Sequence, residues 1–144
     1  RFLGYGERAL GLVSRLTTHE TAHILMHKRW PVLAEDVPYR RQLQHLCFDE
    51  GFAHLLACGE EIASFDFGGW VDQHWEPSLQ KLREALACTD PEKQQECLIR
   101  ANAGPYWEKF ACITGKLYLA QHRDQLVSIY SEGPDRFLPE LFLP

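Results

Sequence analysis

The segment Leu16-Thr17-Thr18-His19-Glu20-Thr21-Ala22-His23-Ile24-Leu25 carries two histidines four residues apart, with a glutamate directly after the first. In an α-helix, residues four apart lie on one face, one turn above the other. His19 and His23 can therefore aim both imidazoles at one point. A neutral imidazole is a good zinc ligand at about 2.0–2.1 Å. Glu20 sits about 100° further round the helix. Its carboxylate then falls beside the metal point rather than on it, where it can take a proton from an activated water and return it to a leaving amine. The spacing predicts Zn2+ as cofactor, His19 and His23 as ligands, and Glu20 as the general base of a hydrolytic reaction. Two other readings remain open: unrelated surface histidines, since the chain has 7, and a non-catalytic helical domain whose metal serves stability or partner binding.

Two histidines do not complete a catalytic zinc site. A third ligand is sought in Cys47-Phe48-Asp49-Glu50-Gly51-Phe52-Ala53-His54-Leu55-Leu56, where Glu50 stands 27 residues beyond His23. This is the most apolar helical stretch of the chain. A buried carboxylate without a partner is costly, and a divalent cation is a natural partner. An Arg, a Lys or a local backbone group would serve the same need, and Asp49 is a rival ligand. Gly51, beside Glu50, would let another helix approach closely.

The flanks of the His19–His23 pentad resemble those of the zincin metallopeptidases. Glu50-Gly51-Phe52-Ala53 resembles the Glu-Gly-x-Ala segment that supplies the zinc-binding glutamate in gluzincins, including families of predicted zinc proteases. The metzincin pattern would instead place a third histidine six residues after the second, where this chain has Arg29 and no nearby glycine. The resemblance covers roughly Leu12 to Ala57. It implies zinc-dependent peptide-bond hydrolysis, a peptide or protein substrate, and a metal site of His19, His23 and Glu50. Thermolysin-like enzymes carry an aspartate four residues after the ligand glutamate, where it orients the first zinc histidine. This chain has His54 there, so the orienting role passes to His54 or to another carboxylate, Asp49. The resemblance further implies an oxyanion donor on a downstream helix, for which Tyr106, Tyr118 and His122 are the candidates. Tyr118 also fits an ordinary core position. His45, His54 and His74 are candidates for additional metal contacts.

The elements that must position these residues read as helices punctuated by Pro and Gly. The first is expected from about Glu7 to Lys28, with Leu12, Leu16, Ala22 and Leu25 or Met26 on its apolar stripe. After a loop from Pro31 to Pro38, the second runs from about Tyr39 to Cys58 and is buried from Leu46 onward. A third is expected from Glu76-Pro77, with Trp75, Leu79, Leu82 and Leu86 on one stripe. A fourth starts at Thr89-Asp90-Pro91-Glu92, an N-cap followed by Pro and Glu, and ends by Gly104-Pro105. The fifth covers about Tyr106 to His122, a shorter one Asp124 to Tyr130, and the tail from Phe137 to Pro144 is expected to pack as an extended arm. Trp70, Trp75 and Trp107 are expected to anchor the core or line a cleft. The fold class is mainly α: a bundle-like zincin domain over residues 1–144, with little or no sheet. Zincin sites pair the metal helix with a preceding sheet, yet only 18 residues precede His19. The resemblance thus implies a minimal helical version or a sheet-forming part upstream. A chain that begins at Arg1 rather than Met is expected to be a processed or trimmed piece.

Composition narrows the function classes. At 144 residues and 45% hydrophobic, the chain is one domain able to bury a core. A net charge of −5, with no run of Lys and Arg longer than two, argues against nucleic acid or anionic membrane as partner. It also disfavours a nuclease, which would want a carboxylate-rich two-metal site. No apolar stretch approaches the roughly 20 residues of a membrane span. The five cysteines, Cys47, Cys58, Cys88, Cys97 and Cys112, are odd in number and lack Cys-x-x-Cys spacing. They are expected to be reduced, in an intracellular, cytoplasmic protein.

Overall fold

A computed structural model describes residues 3–34, 36–59 and 61–142. Helix α1 covers Leu3–Arg29 and stops where Trp30 meets Pro31, because a residue before proline is driven out of the helical region. Its last turn, His27-Lys28-Arg29, complements the negative end of the helix dipole. After Pro38, α2 spans Tyr39–Leu56 and ends ahead of Gly59, whose φ of +63° suits glycine. A single short turn, α3 (Glu61–Ser64), leads to α4 (Gly68–Ala87), where Asp66 Oδ1 accepts the Gly68 N–H at 2.8 Å. Helix α5 (Pro91–Asn102) is capped by Asp90, which accepts from the N–H groups of Glu92 and Lys93, with Pro91 in the first helical position. A 3-10 turn at Tyr106–Glu108 precedes α6 (Phe110–Gln121). Further 3-10 turns at Arg123–Gln125 and Pro134–Arg136 flank α7 (Leu126–Glu132), and α8 (Pro139–Phe142) closes the described chain. Among the described residues there is no strand, so the mainly α bundle expected from the sequence is what forms.

Helices α2 and α6 form the centre, with α1 and α5 packed on α2, and α4 and α5 packed on α6. From Phe110 to Ala120, α6 is buried at every position but Tyr118, rather than along one stripe, because helices cover it on several sides. The central pair meets at two glycines. A Cβ on Gly51 would lie 2.7 Å from the Gly115 carbonyl carbon, and one on Gly115 would overlap the Cys47 carbonyl oxygen. The close approach expected beside Glu50 is therefore made by α6. Phe48, Leu43, Leu55, Leu82, Ile113, Leu117 and Phe137 fill the surrounding core.

Three element expectations are corrected. Helix α4 begins at Gly68, not at Glu76-Pro77, and runs through Pro77. An interior proline costs about 3 kcal/mol. The first turns of α4 offset it by packing Trp70 against Phe65, Phe67 and Trp107. The tail does pack on the body, with Phe137, Leu138 and Phe142 buried, but as a turn and the short helix α8. Its last two residues, Leu143 and Pro144, lie outside the described residues. The apolar stripe of α1 is buried only at Ala22 and Met26, whereas Leu12, Leu16 and Leu25 are 61%, 54% and 56% exposed. Leu12 and Leu16 instead line an open cavity, which α1 walls over half its length. All five cysteines are free. No described helix is long and apolar enough to cross a membrane.

Candidate metal centre

The cavity holds about 920 Å³ and lies between α1, α2 and α6. From α1, His19 and His23 point into it, and their Nε2 atoms stand 3.0 Å apart. From α2, Glu50 brings Oε2 to 3.6 Å from His19 Nε2 and Oε1 to 3.7 Å from His23 Nε2. Three ligand atoms on a tetrahedral zinc, each bonded at about 2.0–2.1 Å, would be roughly 3.3–3.4 Å apart. The observed triangle of two imidazole nitrogens and one carboxylate matches that size and chemistry, so these residues fit the ion. Glu20 lines the same cavity and is exposed to solvent.

Two of the three candidate ligands, His23 and Glu50, are held by a hydrogen-bonding neighbour. Asp49 Oδ2 accepts from His23 Nδ1 at 3.1 Å and from His27 Nε2 at 3.0 Å. A proton on Nδ1 leaves His23 Nε2 as a bare lone pair facing His19 and Glu50. The hydrogen bond to Asp49 raises the proton affinity of His23, against the opposing effect of burial. Burial pushes Asp49 upward, but its bonds to His23 and His27 outweigh that and hold its carboxyl below the usual range. The orienting place left open by the sequence is thus taken by Asp49, on the second histidine of the pentad. His54 has a different neighbourhood: its Nε2 lies 3.6 Å from Glu50 Oε2, and its ring is 4.6 Å from that of His19. Burial, with His19, Lys116 and Lys109 nearby, pushes its pKa down to about 3, so its ring is neutral.

Three residues escaped the sequence reading. Asn102, the last residue of α5, donates Nδ2–H to Glu50 Oε1 at 2.7 Å, and Cys112 Sγ donates to Asn102 Oδ1 at 2.8 Å. This chain fixes the Glu50 carboxylate from behind. Lys116 donates Nζ–H to the Tyr106 hydroxyl at 2.8 Å, with its ammonium 4.4 Å from the Trp70 ring centre. The readable signal for Lys116 was a lysine inside the most apolar helix of the C-terminal half. Asn102 had none, being one amide at a helix end.

Of the expected donors, Tyr106 reaches the cavity, from the 3-10 turn rather than from α6. Burial of its hydroxyl raises its titration, which keeps it a neutral donor. Tyr118 and His122 do not reach it. Lys116 faces the cavity, and Tyr118 stands two residues on, about 200° round the helix. Its ring packs on Phe137 instead, and its carbonyl accepts from His122 Nδ1. His45 lies 3.4 Å from Asp135, and His74 stacks on Trp107 with centroids 3.7 Å apart, so neither joins the cluster. Trp70 lines the cavity, as one reading of the tryptophans expected.

Comparison with protein-family models, with curated proteins and with solved structures finds no match for this chain.

Proposed function

We propose that this chain hydrolyses peptide bonds with zinc held by His19, His23 and Glu50, in the manner of gluzincins. The observation that carries the reading is the convergence of those three side chains, at zinc-ligand spacing, on the wall of an open cavity that Glu20 also lines. A buried structural site would have no such opening.

Zinc at this point would polarise a scissile carbonyl and lower the pKa of water to about 7. Glu20 takes the proton from the attacking water and passes it to the departing amine. Asp49 holds His23 in the tautomer that presents Nε2, and Asn102 holds one oxygen of Glu50. Lys116 donates to the oxygen of Tyr106, which leaves the Tyr106 hydroxyl proton free to donate to the oxyanion that develops on the carbonyl. The test is incubation of the zinc-loaded protein with a peptide mixture, read by mass spectrometry. Cleavage that disappears on chelation, and in Glu20→Gln, supports the reading. A zinc-loaded protein that cleaves nothing contradicts it.

A further inference from the structure

Lys116 is 3% exposed, inside the most buried helix of the molecule. A buried ammonium loses most of its hydration, a cost that an ion pair ordinarily offsets. Here the neighbours at Nζ are the Tyr106 hydroxyl, the Cys58 side chain and the Trp70 ring, none of them a carboxylate. Among the described residues, no carboxylate pairs with it; Asp49 and Glu50 engage the histidines and Asn102 instead.

The surroundings repeat this sign of charge. Lys109 stands two helical turns before Lys116, lines the same cavity, and acts with Lys116 on His54. The cavity is therefore acidic where Glu20, Asp49 and Glu50 gather, and basic beyond His54. A ligand that spans it needs a carbonyl for the acidic, metal-holding end and an anion for the basic end. An ammonium that has the Tyr106 hydroxyl, the Cys58 side chain and an aromatic ring as its partners, and no carboxylate, is suited to that anion.

We propose that Lys116, with Lys109, binds a carboxylate of the substrate, so that the site selects peptides whose carboxylate lies just beyond the scissile bond. This rests on the peptidase reading for the word substrate, but not for the anion site itself. A peptide carboxylate has two sources, the C-terminus and an acidic side chain, and the probes separate them.

Calorimetric titration of the zinc-loaded protein with N-acetyl-leucine, N-acetyl-leucinamide and N-acetyl-aspartic α-amide tests it without any turnover. At least one carboxylate probe should bind about tenfold tighter than the neutral amide, and Lys116→Met should abolish that difference while retaining zinc. Preference for the leucine acid points to a free C-terminus, and preference for the aspartic amide to an acidic side chain. Equal binding of all three, or none, overturns the proposal. So does a preference that survives in Lys116→Met, because the carboxylate would then be held by the zinc. If Lys116→Met does not fold, Lys109→Gln decides: an unchanged preference overturns the proposal, and a severalfold loss supports it. A carboxylate preference without any peptide cleavage would sink the peptidase reading and leave the anion site standing. Cleavage of free and amidated peptides with equal KM, and no binding preference, would sink the anion site alone.

Discussion

Asp49 Oδ2 lies 3.1 Å from His23 Nδ1, so a carboxylate on α2 fixes the ring of a histidine on α1 and turns its other nitrogen toward His19 and Glu50. The second helix supplies both a candidate ligand, Glu50, and the group that orients one from the first helix. Removing Asp49 leaves the ligands in place but frees the ring. Asp49→Ala is expected to bind zinc about 10–100-fold more weakly than the wild type. Competition with a chromophoric chelator measures this, and unchanged affinity would mean that Asp49 does not support the metal ligands.

Glu20 has a different expected signature. It sits beside the metal point, not on it, so Glu20→Gln should keep zinc affinity while losing peptidase activity by a factor of about 10²–10⁴. The paired readouts are zinc content and single-peptide cleavage rate. Parallel loss of zinc and activity would make Glu20 a ligand rather than a base.

The glycine contact between α2 and α6 holds the site at the level of the backbone. Gly51 and Gly115 meet backbone to backbone at the crossing, and their chain neighbours Glu50 and Lys116 line one cavity. Gly115→Ala must push the helices apart, because the new Cβ meets the Cys47 carbonyl rather than a side chain that could turn away. A loss above about 4 kcal/mol is expected, in the range reserved for severe core disruption. Gly11→Ala is the control: it lies in α1 with nothing within 4 Å of the new Cβ, and should gain up to about 1 kcal/mol. Denaturant unfolding followed by circular dichroism compares the two.

A pH dependence follows from the surface pair Arg41–Asp135, bonded at 2.8 and 2.9 Å. The hydrogen bonds from Arg41 hold the Asp135 carboxyl below its usual range. A carboxylate whose folded pKa is depressed adds stability above its unfolded pKa of about 3.9, and loses it as pH falls through the folded value. Both side chains are about half exposed, so solvent limits the gain to roughly 1 kcal/mol or less. Wild type should thus exceed Asp135→Asn in stability at neutral pH, and the two unfolding curves should converge as pH is lowered below 4. A gap that stays constant through that range would assign the difference to packing.

Much of this site was legible in the sequence because helical spacing is local. His19 and His23 share a face by periodicity alone, and Glu50 announced itself as an acid in an apolar helix. Gly51 signalled a close approach, though not which helix would make it. Tyr118 misled because it fits the apolar stripe of α6, and only the packing of α2 shows which side of that helix meets the cavity. Asn102 and Cys112 were invisible, since their support of Glu50 depends on where the end of α5 docks. The long α4 was hidden by Pro77, a local stop signal overridden by the aromatic packing of Trp70.

In the proposed centre, His19, His23 and Glu50 together hold one zinc ion. The most direct measurement is zinc stoichiometry, by elemental analysis after dialysis, of the wild type and of Glu50→Ala with its fold checked by circular dichroism. One zinc per wild-type chain, and little or none in the folded variant, is the expected result. A zinc-free wild type, or a Glu50→Ala variant that keeps its full equivalent, would contradict it.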